Sequence, residues 1–371
     1  MRIPNDDASE FLTRIVPFVD SDGARNLNAI CRELSIPYQT LRFRMNRLKQ
    51  QGISVLSHVD TDKLGLQRIK ATFELPRDIR NPKVIFGGLH QKAGLKIYSR
   101  DLFTQEIDCE FLIPKGSILE FDKLLHALEE MKLIQNVEFN PLLWKEVFMM
   151  KTKYFDYESG EWDVDFSKLV GDPSIAMPKQ YDGRIKYDYN DLLIIKSLEM
   201  DPWIKVVDLA EKLDLPVGDV SYHLNRHVIG RKLIPSFRLR WTGTKDAWLK
   251  HSIIGQSFVF ERLREDDMRH AMSVMTAAPF IWDQMLAEDG SYFTEFMMPL
   301  SQFPETQNYI SKSLRSIGLK PKIRWKDWSL SSTFTIPYTM FAKGRGWVLD
   351  AETALGYVLQ MISQYDNTSK V

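Results

Sequence analysis

Two stretches of the chain, one in each half, carry the same succession of apolar spacings. In the first, Phe11, Leu12, Ile15, Val16 and Val19 form a helical stripe that Pro17 bends or stops early. Leu27, Ile30, Cys31 and Leu34 mark a second helix, and Pro37 stands near the first position of a third. That third helix collects Leu41, Met45 and Leu48 on one face, so Gln39, Arg42, Phe43, Asn46 and Arg47 point outward until Gly52 ends it. In the second half Leu192, Leu193, Ile195 and Leu198 open the series. Val206, Leu209, Ala210 and Leu213 continue it, and Val220, Leu224 and Val228 close it before Gly230. A β-hairpin-like segment follows each triplet, Ile53 to Val59 and Ser236 to Trp241.

The remainder of each half alternates strand and helix patterns. The first half predicts strands over Arg68 to Leu75, Lys96 to Ser99, Glu106 to Ile113 and Asn136 to Leu143, with helices over Pro82 to Ala93 and Leu119 to Leu133. The second predicts strands over Ile253 to Glu261, Phe280 to Ala287, Tyr292 to Met298 and Lys320 to Lys326, with helices over Glu265 to Ala277 and Glu305 to Ile317. The order βαββαβ is that of a ferredoxin-like sheet domain. Such a sheet leaves one apolar face bare, and a second copy in the same chain is the expected cover.

Direct self-matches strengthen the duplication. Leu41 to Arg47 lies over Val220 to Arg226 at an offset of 179, Glu110 to Pro114 over Glu295 to Pro299 at 185, and Trp144-Lys145-Glu146 over Trp325-Lys326-Asp327 at 181. Trp162 answers Trp347. The expected fold class is α+β: two tandem copies of a winged helix-turn-helix followed by a ferredoxin-like domain, with the two sheets paired within the chain. The expected domains are 1–60, 61–170, 171–245 and 246–371.

With 371 residues, 44% hydrophobic and 26% charged, the chain suits several ordinary globular domains. No apolar run is long enough to span a membrane, and the opening residues lack a signal-peptide core, so a soluble cytoplasmic protein is expected. Cys31 and Cys109 stand alone in apolar patterns and read as buried free thiols. The net charge is zero, but its distribution is uneven. Ile36 to Gln51 holds four basic residues and no acid, and Ser221 to Trp241 holds five, again with no acid. Acids cluster elsewhere, at Asp156, Glu158, Glu161, Asp163 and Asp165.

Three helices with a tight turn before a basic third one fit a helix-turn-helix that places this helix in the major groove of DNA. Phosphate contacts are expected from Arg44, Arg47 and Lys49, and base contacts from Gln39, Thr40 and Arg42, with Tyr38, Phe43 and Asn46 beside them. In the second copy the corresponding groups are Ser221, Tyr222, His223, Asn225, Arg226, Arg231 and Lys232, with Arg238 and Arg240 projecting from a wing. Double-stranded DNA is the expected partner, read through two unlike helices and hence at an asymmetric site. His223 and His227 are one helical turn apart, a spacing suited to a metal, but with no third ligand in view they read as polar histidines and no metal or cofactor is expected.

The segment Leu34 to Leu48 followed by Gly52-Ile53, and the hinge Val59 to Leu66, resemble the Lrp/AsnC family of transcription regulators. The resemblance is good over residues 8–76, fair to 145, and reaches the second copy through the internal repeat. It implies a sequence-specific regulator whose sheet domains pair, here within one chain, and which binds a small-molecule effector. The family's glycine-containing signature is absent from Ser99 to Gln105, and Glu288 to Tyr292 keeps a trace, so no effector residues are assigned. Trp162, Trp347 and the amphipathic tail Leu355, Val358, Leu359 and Ile362 are additions expected to supply core.

No Walker loop, GxGxxG, HExxH, GxSxG or CxxC cluster occurs, and the expectation is therefore a protein that is not an enzyme. Lys92-Ala93-Gly94 and Lys343 to Gly346 read as turns. Two alternatives stand beside the regulator. One is a non-enzymatic sensor or protein-interaction scaffold. The other, more remote, is an enzyme like the siroheme decarboxylases, which resemble the same two-domain plan; His90, His126, His251 and His270 lie in its sheet-domain halves.

Overall fold

The structure, a computed structural model, describes residues 27–50, 54–77, 79, 81–148, 151–156, 161–172, 175, 177, 185–240 and 252–368. The Phe11 to Val19 stripe, Trp241 and His251 lie outside them. The chain is a mixed α/β protein.

Helices α1 (Leu27–Leu34) and α2 (Tyr38–Gln50) lead to strand β1 (Ser54–His58). Then come β2 (Leu66–Glu74), α3 (Pro82–Ala93), β3 (Leu95–Asp101), β4 (Ile107–Pro114), α4 (Ile118–Glu130) and β5 (Gln135–Val147). A small hairpin, β6 (Phe155–Asp156) and β7 (Glu161–Trp162), ends the first half. The second half repeats the order with α5 (Tyr189–Met200), α6 (Val206–Leu213), α7 (Val217–Tyr222) and β8 (Ser236–Arg240). It continues through β9 (Ile253–Phe260), α8 (Glu265–Ala277), β10 (Ile281–Ala287), β11 (Tyr292–Pro299), α9 (Phe303–Ser316) and β12 (Lys322–Thr333). Hairpin β13 (Phe341–Ala342) and β14 (Gly346–Trp347) precedes a last helix, α10 (Ala351–Thr368).

Local chemistry sets several of these boundaries. Asn81 caps α3 by accepting the Lys83 N–H at 3.2 Å, Pro82 fills the first helical position, and Gly94 ends the helix at φ +83°. A Cβ on Gly94 would fall 2.0 Å from the Leu112 carbonyl oxygen, so only glycine fits this close pass of backbone over β4.

The eight long strands form one closed antiparallel barrel in the order β10-β11-β9-β12-β3-β4-β2-β5. Each half supplies four neighbouring strands, and two seams join the halves. At one, β5 pairs with β10 from Val147↔Asp283 to Leu142↔Ala287; at the other, β12 pairs with β3 from Lys326↔Asp101 to Thr333↔Ile97. The sheets therefore join edge to edge, not as the separate stacked layers anticipated from sequence. The physical reason is length. Strands β5 and β12 run past the predicted ends at Leu143 and Lys326, and the added residues reach the edge strand of the other half. Closure leaves neither sheet with an unpaired edge.

The two expected wings are corrected as well. Among the described residues of Ile53 to Val59 and Ser236 to Trp241 there is one strand each, and these strands, β1 and β8, pair with each other, from Ser54↔Arg240 to His58↔Ser236. Each lone strand would otherwise present unmet backbone groups, and the other half provides the nearest partner. The two helical heads consequently share one core, in which Ile30, Leu34, Leu41 and Met45 meet Leu192, Ile195, Val220 and Leu224.

The tails cross over. After β5, the segment carrying Trp162, Val164 and Phe166 packs on the helices of the second half. After β12, α10 lays Ala354, Val358 and Ile362 on α3 and α4 of the first. Glu120 of α4 accepts the Ala351 N–H at 3.2 Å at the start of this tail helix. Gly88 is the contact point in α3, because a Cβ there would lie 2.9 Å from Val358 Cγ2. Gly88→Val is accordingly expected to unseat α10 and lower stability by about 1–3 kcal/mol in urea denaturation. Gly87→Val, with nothing within 4 Å of its added Cβ, is expected to change it by less than about 1 kcal/mol.

Candidate active site

Alternation along the strands sorts side chains to the two faces of the barrel wall. Ile69, Ala71 and Phe73 of β2 join the helix-side core, which turns Arg68, Lys70 and Thr72 to the interior. By the same alternation the interior receives Asp108 and Glu110 from β4, Glu295 from β11 and Lys326 from β12. Lys145 of β5 and Asp283 of β10 meet them there. Both self-matching peptides thus end on the same ion pairs: Lys145 binds Glu110 at 2.5 Å, and Lys326 binds Glu295.

The network also ties the halves together. Lys145 reaches Asp283 at 2.8 Å, and Lys70 holds both Asp108 at 2.8 Å and Glu295 at 3.4 Å. Arg68 adds a contact to Glu110. Four cations thus face four carboxylates inside the wall, and this balance is what allows charge to be buried there. The carboxylates do not share one environment. Burial opposes the charge of Glu110, but Lys145 and Arg68 outweigh it and hold the carboxyl down at about 2. Glu295 is likewise lowered by Lys326 and Lys70 against the cost of its burial. Asp283 goes the other way, pushed up to about 6 by burial and by the charge of Glu295.

At one end of this interior a cavity of about 570 Å³ enters between the halves. Lys70 and Thr72 of β2 and Glu138 and Asn140 of β5 form one wall; Val259 of β9, Phe293 of β11 and Arg324 of β12 form the facing one. Glu261, Arg262, Asp289, Ser291 and Lys322 complete the lining. Arg324 is nearly buried, its Nη2 lies 3.1 Å from Glu106, and its Nε has no hydrogen-bond partner. The lining sets the cations Lys70, Arg262, Lys322 and Arg324, which can hold carboxylates, beside the apolar Val259 and Phe293 and the acids Glu138, Glu261 and Asp289.

None of the residues assigned to DNA lines this cleft. In α2, Gln39, Arg42, Phe43, Asn46 and Arg47 are exposed, Tyr38, Thr40 and Arg44 are half-buried, and the Lys49 side chain lies outside the described residues. Tyr222, Asn225, Arg226 and Lys232 are exposed and Ser221 is half-buried. Arg231 donates to the Lys186 carbonyl, and His223 turns in to Asp191 at 2.8 Å. Arg238 and Arg240 sit in β8, with their side chains outside the description.

Of the histidines weighed for the enzyme alternative, the three described ones, His90, His126 and His270, are not in the cleft either. His90 stacks on Phe334 with centroids 4.3 Å apart and bonds the Leu95 carbonyl through Nδ1. His126 is exposed beside Asp122, and exposed His270 bonds the Asp266 carbonyl. The cleft residues that sequence reasoning missed come from five separate strands and the loops that join them, and form no local motif. The only advance sign of the network behind them was the repetition of Glu110 and Lys145 as Glu295 and Lys326.

The sequence matches no known family profile and no curated protein. Solved structures do resemble the fold. The siroheme decarboxylase NirDL aligns over 96% of this chain and 99% of its own, with a TM-score of 0.58 and 11% identity. The same enzyme in complex with an iron-uroporphyrin III analogue aligns over 95% and 99%, with a TM-score of 0.57 and 11% identity. A Pyrococcus furiosus transcriptional regulatory protein of the AsnC family aligns over 37% of this chain and 88% of its own at 17% identity, with a TM-score of only 0.29.

These findings correct two expectations together, that the chain is a DNA-binding transcription regulator and that it is not an enzyme. The full-length likeness is to an enzyme. The fold is that of the siroheme decarboxylase. Among the described residues no helix is long and apolar enough to cross a membrane.

The opposite shifts of the interior carboxylates predict distinct pH windows. Because Asp283 is raised from 3.8 to about 6 in the folded chain, the stability it contributes is complete below 3.8 and is lost as pH rises through 6. Glu110 is lowered from 4.5 to about 2, so its contribution is present above 4.5 and is lost as pH falls through 2. Asp283→Asn is expected to remove the decline of the urea midpoint between about pH 4 and 6 while sparing the acid limb. A variant that keeps the decline would refute the assignment. Lys145→Met strands two buried carboxylates and is expected to cost about 3–5 kcal/mol at pH 7.

Proposed function

We propose that the chain is an enzyme of the siroheme decarboxylase kind, which takes an iron tetrapyrrole bearing carboxylate side chains into the barrel cleft and removes carboxyl groups as carbon dioxide. The observation that carries the reading is the cleft itself, where Lys70, Arg262, Lys322 and Arg324 surround a lining that includes Val259 and Phe293. The end-to-end likeness to the siroheme decarboxylase supports it. In the same reading the chain is two tandem copies of a winged helix-turn-helix and a ferredoxin-like domain, divided at 1–60, 61–170, 171–245 and 246–371, and the two copies act as a dimer within one chain.

Decarboxylation breaks the bond between the carboxyl carbon and its neighbour. Carbon dioxide leaves, and the electron pair left behind takes up a proton. The conjugated ring, which belongs to the substrate, spreads the developing charge. The part of this chain is to clamp the carboxylates that stay. Arg262 and Lys322 do so at the rim, and Arg324, with its unmet Nε, does so at depth. A carboxylate set against Val259 and Phe293 loses its water, which favours the uncharged product. Glu138, Glu261 and Asp289 stand in the same lining, and the proton for the final step comes from water at the open cleft.

The test is anaerobic titration with siroheme, followed by the Soret band, and mass spectrometry of the extracted product. Wild type is expected to shift the band and to yield product lacking one or more carboxyl groups. Arg262→Ala with Lys322→Ala, both at the rim, is expected to weaken binding at least about tenfold, the equivalent of about 1.4 kcal/mol. Absence of any band shift rules out tetrapyrrole binding, and binding with every carboxyl retained rules out the reaction.

A further inference from the structure

A second polar cluster lies in the helical head of the second half, away from the cleft lining. Sequence spacing drew attention to His223 and His227 but showed no further ligand. Folding brings two, Asp188 and Asp191, from the start of α5. His223 Nδ1 is 2.8 Å from Asp191 Oδ1 and 3.7 Å from Asp188 Oδ1, while His227 Nδ1 is 3.1 Å from both oxygens of Asp191. One ligand atom from each of the four residues falls within 4.8 Å of all the others. We infer that Asp188, Asp191, His223 and His227 form a binding site for one divalent transition-metal ion of the zinc class.

Geometry supports the assignment first. Four nitrogen and oxygen ligands bonded at about 2.0–2.2 Å around a tetrahedral ion stand roughly 3.3–3.5 Å apart. The His–Asp separations of 2.8–3.7 Å straddle that value, and all four ligand atoms lie within 4.8 Å of one another, so an ion draws the four together by movements of up to about an ångström.

The backbone around the cluster is built to hold it. His223 to Ile229 forms a π-helical turn, closed by the Gly230 N–H bonding the Asn225 carbonyl at 3.0 Å, a rare conformation concentrated at functional sites. Both carboxylates are fixed by a reciprocal capping box: Asp191 accepts the Asp188 N–H at 2.9 Å, and Asp188 accepts the Asp191 N–H at 3.1 Å. Such outer bonds are what orient metal ligands. Asp191 is fully buried, and Tyr222 packs edge-on to both imidazole rings. Asp188 is half exposed and, of the four residues, is the one that lines a cavity of about 450 Å³.

Ligand chemistry selects the ion. Two imidazoles favour zinc over magnesium or calcium, which prefer all-oxygen shells. Two carboxylates with two neutral imidazoles also balance a divalent charge. The ion would clamp the start of α5 to the π turn. The test uses the untagged full-length chain, stripped by chelator and given zinc alone, with bound metal read after desalting and the unfolding temperature recorded. One zinc per chain and a raised unfolding temperature are expected, unaffected by excess magnesium. His223→Gln with His227→Gln is expected to abolish retention. Asp188→Ser keeps a helix cap at an exposed position and so secures folding; it is expected to weaken zinc binding at least about tenfold. The inference is overturned if wild type retains no zinc, or if Asp188→Ser and the double variant bind it as wild type does.

Discussion

The two barrel seams are the constraint on which the molecule rests. Hydrogen bonds between β5 and β10, and between β12 and β3, turn two open sheets into one wall. They also bring the interior charges of one half within reach of those of the other. Lys145 to Asp283 and Lys70 to Glu295 are inter-half contacts, and each closes a charge account that its own half leaves open. Remove the seams, and Glu110, Asp283 and Glu295 are carboxylates on bare sheets. With the seams in place they define a polar interior whose open end is the cleft.

The two halves are related but not equivalent, and the difference is chemical. The repeated positions Glu110 and Glu295, Lys145 and Lys326, carry the same pairs. The register of β2 with β4 and of β9 with β11 places Lys70 opposite Glu110 and Ser257 opposite Glu295, so the third cation is present in one half alone. Asp283 stands opposite Glu295 in the same way that Ile97 stands opposite Glu110. Each half therefore lends the other the charge it lacks, and only one end of the barrel interior has this particular set of lining groups.

Much of the element order was readable from periodicity because each element keeps one face in a core. The helices Pro82–Ala93 and Glu265–Ala277 span the residues their spacing indicated. Strand ends were harder. Beyond Leu143 and Lys326 the side chains are mostly half-buried, so alternation fades where the seams begin. The cleft could not be read at all, since Lys70 meets Val259 and Arg324 only through closure. The basic faces of α2 and of the His223 region suggested DNA for an equally physical reason. A solvated helix face and a groove-reading face have the same pattern, and the fold that carries them does not decide between the two. His223 and His227 were visible as a pair, but their carboxylate partners lie more than thirty residues earlier and only the packing of α5 brings them in.

The crossed tails bear on how the chain is made. The first half leaves the ribosome before the residues that cover its helices exist. Ala354 and Val358, which fill the groove over α3 and α4, are translated after every strand of the second half, whereas the second half finds its own cover, Trp162 and Phe166, already synthesised. The half translated later can thus complete its core first, and the earlier half must wait with an apolar surface open to chaperones. Such an order of events makes loss of α10 a defect of the first half.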